Sequence, residues 1–254
     1  MAEPQTGRDE LATQAAQAAA DVSEAEHDRD RRRIAAAFTK AATSSSRLAG
    51  LSTRAARRRI TAVRHGAGSG TNWLAGQVTA MAPRLRVRDQ AALRRQFPGR
   101  SADEIADALI EKAAHASGAA GGAAGVWATL PVVPAWPAEV VAETLIVVGI
   151  EIKLIAELHE AYGRPAPGNV AERMSAYVAG WANRSGVFMI PGGLALASGS
   201  PLARQLRRRL AARVGRSTFS LAPLLTGAAL GAYFNSHETR RLGRAVRRDL
   251  GRWR

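Results

Sequence analysis

From Ala113 to Ala138 the chain carries no aspartate, glutamate, lysine or arginine, and the stretch is mainly alanine and glycine. Segments 185–203 and 217–236 are likewise free of formal charge. Each is near the roughly 20 residues that a helix needs to span a bilayer. Their interiors argue against plain spanning helices. Alanine and glycine gain little from lipid, and Pro131, Pro134 and Pro137 break the first segment near its end. Pro191, Gly192 and Gly193 interrupt the second, and Pro223 leaves only a short helix in the third. The third also lies between two arginine clusters, "RQLRRRLAARVGR" and "RRLGRAVRRDLGRWR". A single span would carry one cluster across the bilayer, against the positive-inside tendency. Two arrangements avoid the conflict: a helix packed on its neighbours, or a re-entrant hairpin whose backbone groups are satisfied by protein. The glycines suit both. Gly118 and Gly122, Gly121 and Gly125, and Gly227 and Gly231 are each four apart, which gives a helix a smooth stripe for close approach. Gly118, Gly122, Gly125, Gly227 and Gly231 are the expected helix-packing positions.

Helix signals dominate the rest. Ser101 followed by Glu104 is a capping box, and Ile105, Leu109 and Ala113 then recur every fourth residue. Pro137 suits the first turn of a second helix, which runs through Tyr162 and stops at "GRPAPG", Gly163 to Gly168. Asn169 with Glu172 opens a third, carrying Met174, Val178 and Trp181. Further helices are expected around 203–215, 223–234 and 237–252. No alternating strand pattern lasts more than a few residues. The spacing predicts an all-α fold, a bundle of about six to eight helices with Ala/Gly-rich central helices. Charge falls in blocks. Residues 1–30 hold eight acids and two arginines, so they read as a disordered or loosely helical acidic tail, with 31–254 as one helical domain.

Composition narrows the chemistry. There is no cysteine, which removes disulfides, Cys–zinc sites and thiol nucleophiles. The acidic, polar start does not resemble a secretion signal, so the cytoplasmic side is expected. Net charge is +15, with 33 arginines and three lysines, a surface suited to phosphate in lipid headgroups or nucleic acid.

On a helical wheel Glu139, Glu143, Lys153, Glu157 and Glu160 share roughly a third of the circumference, and Val141, Leu145, Val148, Ile152 and Ile155 face away. Glu139 and Glu143, four apart, would meet as metal ligands or as acid and base. No histidine joins the stripe to complete a di-metal pattern, and His159 points elsewhere. A solvated or Arg-paired face is the expected outcome. Glu151 lies off the stripe and needs a partner if buried. "RHG" at Arg64 to Gly66 follows an arginine-rich helical pattern, not a strand. "GAGSGT", Gly66 to Thr71, lacks the lysine of a phosphate-binding loop. No cofactor motif is found, and none is expected.

The basic segments form their own pattern. Arg47, Arg54, Arg57, Arg58 and Arg64 share about a third of a wheel, with Ala49, Ala56, Ile60 and Val63 opposite and Arg59 interrupting them. Such a helix suits an anionic membrane surface, nucleic-acid phosphates, or plain solvent. Arg47, Arg54, Arg57, Arg58, Arg207, Arg208, Arg240 and Arg241 are the expected lipid or phosphate contacts.

The block "LIEKAAHASGAAGGAAGVWATLPVVPAWPAEVVAETLIVVGIEIKLIAELHEAYG" resembles the centre of the EcsC protein family. That family pairs an Ala/Gly region with a proline-containing turn and a long apolar helix ending in Tyr-Gly, here Tyr162 and Gly163. "APLLTGAALGAYFNSHETRRLGRAVRRDL" resembles its ending, so the likeness covers roughly 105–250. The turn departs from the family's Gly-Pro/Asp-rich form: here it is "PVVPAWPAE", with Glu139 near the acidic position. The resemblance implies a helical, membrane-associated bacterial protein from a family named for an ABC-exporter operon, and it carries over no catalytic residue. The leading expectation is a non-enzymatic protein holding anionic lipids or a membrane protein on the cytoplasmic side. Two alternatives stand beside it: a soluble nucleic-acid binder, and a hydrolase or metal enzyme around Glu139, Glu143 and His115.

Overall fold

The helix expected after Pro137 is the centre of the molecule, and it has no solvent face along its described side chains. A computed structural model describes residues 67–127, 136–183, 200–217 and 226–252, with Gln17. In chain order the helices are α1 (Ala67–Met81), a 3-10 turn (Ala82–Arg84), α2 (Gln90–Gln96), α3 (Ala102–Trp127), α4 (Trp136–Ala161), α5 (Val170–Asn183), α6 (Ser200–Ser217) and α7 (Thr226–Gly251). There is no strand among the described residues, and the fold is all-α. Helices α1, α2, α3, α5 and α7 all pack on α4, and every residue of α4 from Ala142 to Ala161 is buried. Leu145, Ile146, Ile150, Ile152, Leu154 and Ile155 supply the centre of the core. Each contributes roughly 1.5–3 kcal/mol by leaving water. The middle of the bundle is thus an aliphatic helix, and Ala/Gly-rich α3 lies beside it.

Local chemistry sets the helix ends. At the start of α3 the Ser101 hydroxyl and backbone N–H both donate to Glu104 at 2.8 Å, while Glu104 N–H returns to the serine oxygen at 3.3 Å. Asn169 and Glu172 repeat the exchange before α5, at 2.8 and 3.1 Å. Helix α4 stops because Gly163 takes φ +66°. Gly163 N–H then reaches Glu160 O at 3.0 Å and Arg164 N–H reaches His159 O at 2.8 Å, the paired reversed bonds of a glycine-terminated helix.

Two sequence expectations change. The separate helices at 223–234 and 237–252 are one, α7, because neither proline nor positive-φ glycine interrupts the chain where composition turns basic. The glycine-rich run ending at Thr71 is helical from Ala67 onward, as the start of α1. Of the acidic stripe, Glu143, Lys153, Glu157 and Glu160 are buried, and Glu157 and Glu160 pair with Arg88 and Arg173; the Arg-paired face holds, and α4 is not amphipathic toward water along its described side chains.

Helices α3 and α7 run antiparallel and cross closely. A Cβ on Gly121 would lie 2.5 Å from Gly231 O, and one on Gly231 would lie 2.8 Å from Gly121 O. A Cβ on Gly118 would sit 3.2 Å from Ala232 O. Gly122 is half-buried, while the packing of Gly125 and Gly227 lies outside the described residues. Two substitutions separate close approach from ordinary helix propensity. Gly121→Ala should cost about 1–3 kcal/mol, because backbone must move to admit the methyl. Gly76→Ala in α1, with nothing within 4 Å, should add about 0.5–1 kcal/mol. Denaturant unfolding checks both, and a gain at position 121 would contradict the close crossing.

Among the described residues no helix is long and apolar enough to cross a membrane. Of the uncharged segment 113–138, the described residues up to Gly121 are mostly buried against the bundle, and 128–135 lie outside the described residues. All of 185–199 and all of 218–225 lie outside them too.

Candidate anion-binding face

Helix α7 sorts its arginines by direction. Thr239, Gly243, Val246 and Leu250 are its buried positions. At about 100° per residue these point one way, and Tyr233, His237, Arg241, Arg244 and Arg248 point roughly the opposite way. All five of the latter are exposed. Arg240 and Arg247 lie between the two faces and meet carboxylates of α3. Arg240 Nε reaches Glu111 at 2.8 Å, and Arg247 pairs with Asp107 and, at 3.7 Å, with Asp103. Arg244 stands 4.0 Å from Glu111, at the limit of an ion pair. Arg241 and Arg248 have no ion-pair or hydrogen-bond partner among the described residues. A shallow channel of about 330 Å³ runs along this face, lined by His237, Arg240, Arg241, Arg244 and Arg248, with no carboxylate in the lining. At its end Tyr233 is 61% exposed and stacks on His237, ring centres 5.9 Å apart.

A second cleft of about 240 Å³ opens between α6 and α7, lined by Trp181, Gln205, Arg209, Glu238, Arg241, Leu242, Ala245 and Arg248. Behind it sits Glu151, 0% exposed. Its carboxylate accepts from Trp181 Nε1 at 2.6 Å, from Arg209 Nη2 at 2.7 Å and from Thr239 Oγ1 at 3.2 Å. Arg209 also lies over the Trp181 ring, 5.1 Å from its centre. The partner that a buried Glu151 needs is therefore Arg209.

The acidic stripe of α4 is consumed by structure. Glu157 accepts four donors: Lys153 Nζ at 2.6 Å, Arg88 Nη2 at 2.6 Å, Arg88 Nε at 2.8 Å and Arg88 N–H at 3.2 Å. Lys153 also donates to Arg86 O at 2.8 Å, and Glu160 takes Gln90 N–H at 3.2 Å and the Arg173 guanidinium. The stripe thus holds the non-helical backbone at Arg86 and Arg88 and the first N–H of α2 at Gln90. Glu143 accepts from Asn235 Nδ2 at 2.8 Å. The side chain of Glu139 lies outside the described residues, and His115 is exposed on α3. Among the described residues no group of three His, Asp or Glu could hold a metal ion.

Burial pushes the Glu157 carboxyl up, but the Arg88 hydrogen bonds and the charges of Lys153 and Arg88 outweigh it and hold it below the ordinary glutamate value. Burial pushes the His159 imidazole down, more than its bond to Ile155 O and the charge of Glu160 raise it. A carbonyl only accepts, so His159 Nδ1 carries the proton in that 2.8 Å bond.

Of the expected contacts, Arg207 and Arg208 are exposed on α6 without a partner among the described residues, and Arg241 lines both clefts. Arg240 lines the channel but spends its Nε on Glu111. Arg47, Arg54, Arg57 and Arg58 lie outside the described residues. Arg209, Arg244, Arg248, Gln205 and Trp181 were not singled out from sequence as contacts. The spacing of His237, Arg241, Arg244 and Arg248, alternating four and three, was the available signal. No family model, curated protein or solved structure matches the chain.

Proposed function

We propose that this chain is a non-enzymatic helical protein that rests peripherally on an anionic membrane surface, through the exposed face of α7 and the outward arginines of α6. The carrying observation is the α7 stripe. Three arginines without a strong ion pair stand in register on the side away from the core, with an exposed tyrosine at one end. Such a face suits headgroup phosphates, and a tyrosine belongs at a membrane interface, where its ring is greasy and its hydroxyl wet. The resemblance to EcsC proteins supports the same reading and is part of the proposal, as are the cytoplasmic location and the bacterial source.

Each arginine near an anionic surface contributes about 1 kcal/mol. Replacing Arg241, Arg244 and Arg248 together by glutamine should therefore weaken partitioning onto phosphatidylglycerol vesicles roughly 100-fold. Co-sedimentation at low salt measures it. Binding should also fade toward 1 M salt, where the Debye length shrinks to about 3 Å. Equal binding to neutral and anionic vesicles, or an unimpaired triple variant, would rule the reading out. Duplex DNA run beside the vesicles tests the same arginines on nucleic-acid phosphates; retention of DNA alone would transfer the function there.

A further inference from the structure

We infer that the protein enters the bilayer end first, by the end of the bundle where α3 finishes and α4 and α7 begin, and that this end seats at the boundary between headgroups and acyl chains. The inference rests on the surface reading above and names the part of the molecule that goes in. Topology brings these helix ends together. Gly121 of α3 meets Gly231 of α7, and Thr239 donates to Ser117. Further along the same antiparallel pair Glu111 meets Arg240 and Asp107 meets Arg247. Asn235 reaches Glu143 on α4 at 2.8 Å, so the start of α4 lies beside the start of α7. Helix α5 climbs toward the same end: Arg173 pairs with Glu160, and Trp181 bonds Glu151 nearer the start of α4.

Charge is segregated along these helices. Residues 113–127 of α3 and 226–237 of α7 hold no aspartate, glutamate, lysine or arginine. The other end of the bundle is ionic: Arg247 meets Asp103 at 3.7 Å, Tyr162 donates to the same carboxylate, and Arg164 reaches Leu250 O at 3.5 Å. The chain leaves the described residues from the uncharged end, after Trp127 and before Thr226, and toward it after Asn183. Residues 128–135 and 218–225, and 185–199 past Arg184, add no formal charge. The three uncharged segments of the sequence thus attach, each on at least one side, at or toward one end of the bundle. Length and carboxylates decide the depth. At 1.5 Å per residue the uncharged parts run about 22 Å on α3 and about 18 Å on α7. The hydrocarbon core is about 30 Å thick, so this end does not cross it. Glu143 is buried against Asn235, away from lipid. Glu139, four residues into α4, does not belong in hydrocarbon. The tip therefore rests about 5–10 Å into the boundary, as an interfacial helix does. From Thr226 to Tyr233 α7 rises about 10 Å, which puts the exposed tyrosine at headgroup level. With α7 slanted, Arg241, Arg244 and Arg248 follow over the headgroup phosphates.

The protein has no cysteine, so a single introduced cysteine carries one environment-sensitive fluorophore on the full chain. Tyr233→Cys on α7 and Ala119→Cys, half-buried on α3, report from the uncharged end. Ala91→Cys is exposed on α2, whose first N–H is held by Glu160 at the ionic end. Each labelled chain is mixed with phosphatidylglycerol–phosphatidylcholine vesicles whose acyl chains carry bromine, a quencher confined to the hydrocarbon. Emission at 233 and 119 should shift to shorter wavelength and be quenched, and emission at 91 should do neither. Ala119→Glu should weaken partitioning about 10-fold or more, the cost of a carboxylate at the acyl boundary. Ala91→Glu makes the same change of charge at the far end and should leave partitioning nearly unchanged. Ala119→Leu, bulky but uncharged, should bind at least as well as the parent chain, and thermal unfolding verifies that each variant folds. Vesicle binding with quenching at 233 alone, at neither uncharged-end position, or at 91 would overturn the end-first entry and leave the surface reading standing. Quenching at 233 and 119 on purely neutral vesicles, undiminished when Arg241, Arg244 and Arg248 are glutamine, would overturn the surface reading and keep the end-first entry. No vesicle binding at all would remove both.

Discussion

Replacing Glu151 by alanine is expected to lower the free energy of unfolding by about 3–5 kcal/mol, the cost of leaving a buried ion pair without one partner. The position explains the size. Glu151 has no solvent exposure and joins α4 to Trp181 on α5, Arg209 on α6 and Thr239 on α7. Thr239 passes the connection on to Ser117 of α3 at 2.9 Å. Removing the carboxylate leaves the Trp181 indole N–H and the Nη2 donors of Arg209 without their acceptor, and takes the negative charge from behind Arg209. Glu151→Gln keeps one acceptor oxygen and should lose less, about 1–3 kcal/mol. Small domains are stable by only about 5–15 kcal/mol, so alanine here removes a large share. Urea unfolding of the three proteins gives the order. A loss below about 1 kcal/mol for alanine would mean that the five-helix tie does not hold the bundle.

Glu157→Ala is expected to cost about as much, 3–5 kcal/mol, for a related reason. It strands the buried Lys153 ammonium and frees residues 86–90 from α4. This carboxylate also shapes the response to acid. Its folded pKa lies below the ordinary value of about 4.3, so its stabilisation is present above that pH and lost as pH falls through the folded value. His159 acts earlier. Its folded pKa lies below the ordinary value of about 6.5, so the fold prefers the neutral ring. Stability is full above pH 6.5 or so and falls as pH drops below it, because only the unfolded chain takes up the proton freely. Acid weakening should therefore come in two stages, the first below about pH 6.5 and the second below about pH 4.3. His159→Gln should flatten the first stage and Glu157→Gln the second, read as the urea midpoint against pH. A wild-type midpoint that stays level from pH 7 to pH 5 would contradict the histidine assignment.

Helix boundaries were legible where the signal is local. Ser101 with Glu104, Asn169 with Glu172, and Gly163 each act within a few residues, and each lies at the helix end its chemistry requires. The glycine spacing around Gly121 and Gly231 marked a close approach without saying which two helices meet. The α4 stripe was half legible. A wheel groups Glu157 and Glu160 correctly, but a wheel carries no neighbours. It cannot separate a solvated face from one buried against Arg88 and Arg173, which lie 69 and 13 residues away in sequence. The split of α7 into two helices came from reading a change in composition as a change in backbone.

The sequence by itself determined the all-α class, the capped helix ends, the absence of cysteine chemistry and the strongly cationic surface, because each follows from residue type and short-range spacing. Tertiary structure alone decided that the glutamates of α4 serve as ties inside the bundle, that Arg209 belongs to Glu151, and that Arg241 and Arg248 are left over. Pairing of charges depends on which helices become neighbours, and that is settled by packing the aliphatic faces around α4, not by any rule along the chain.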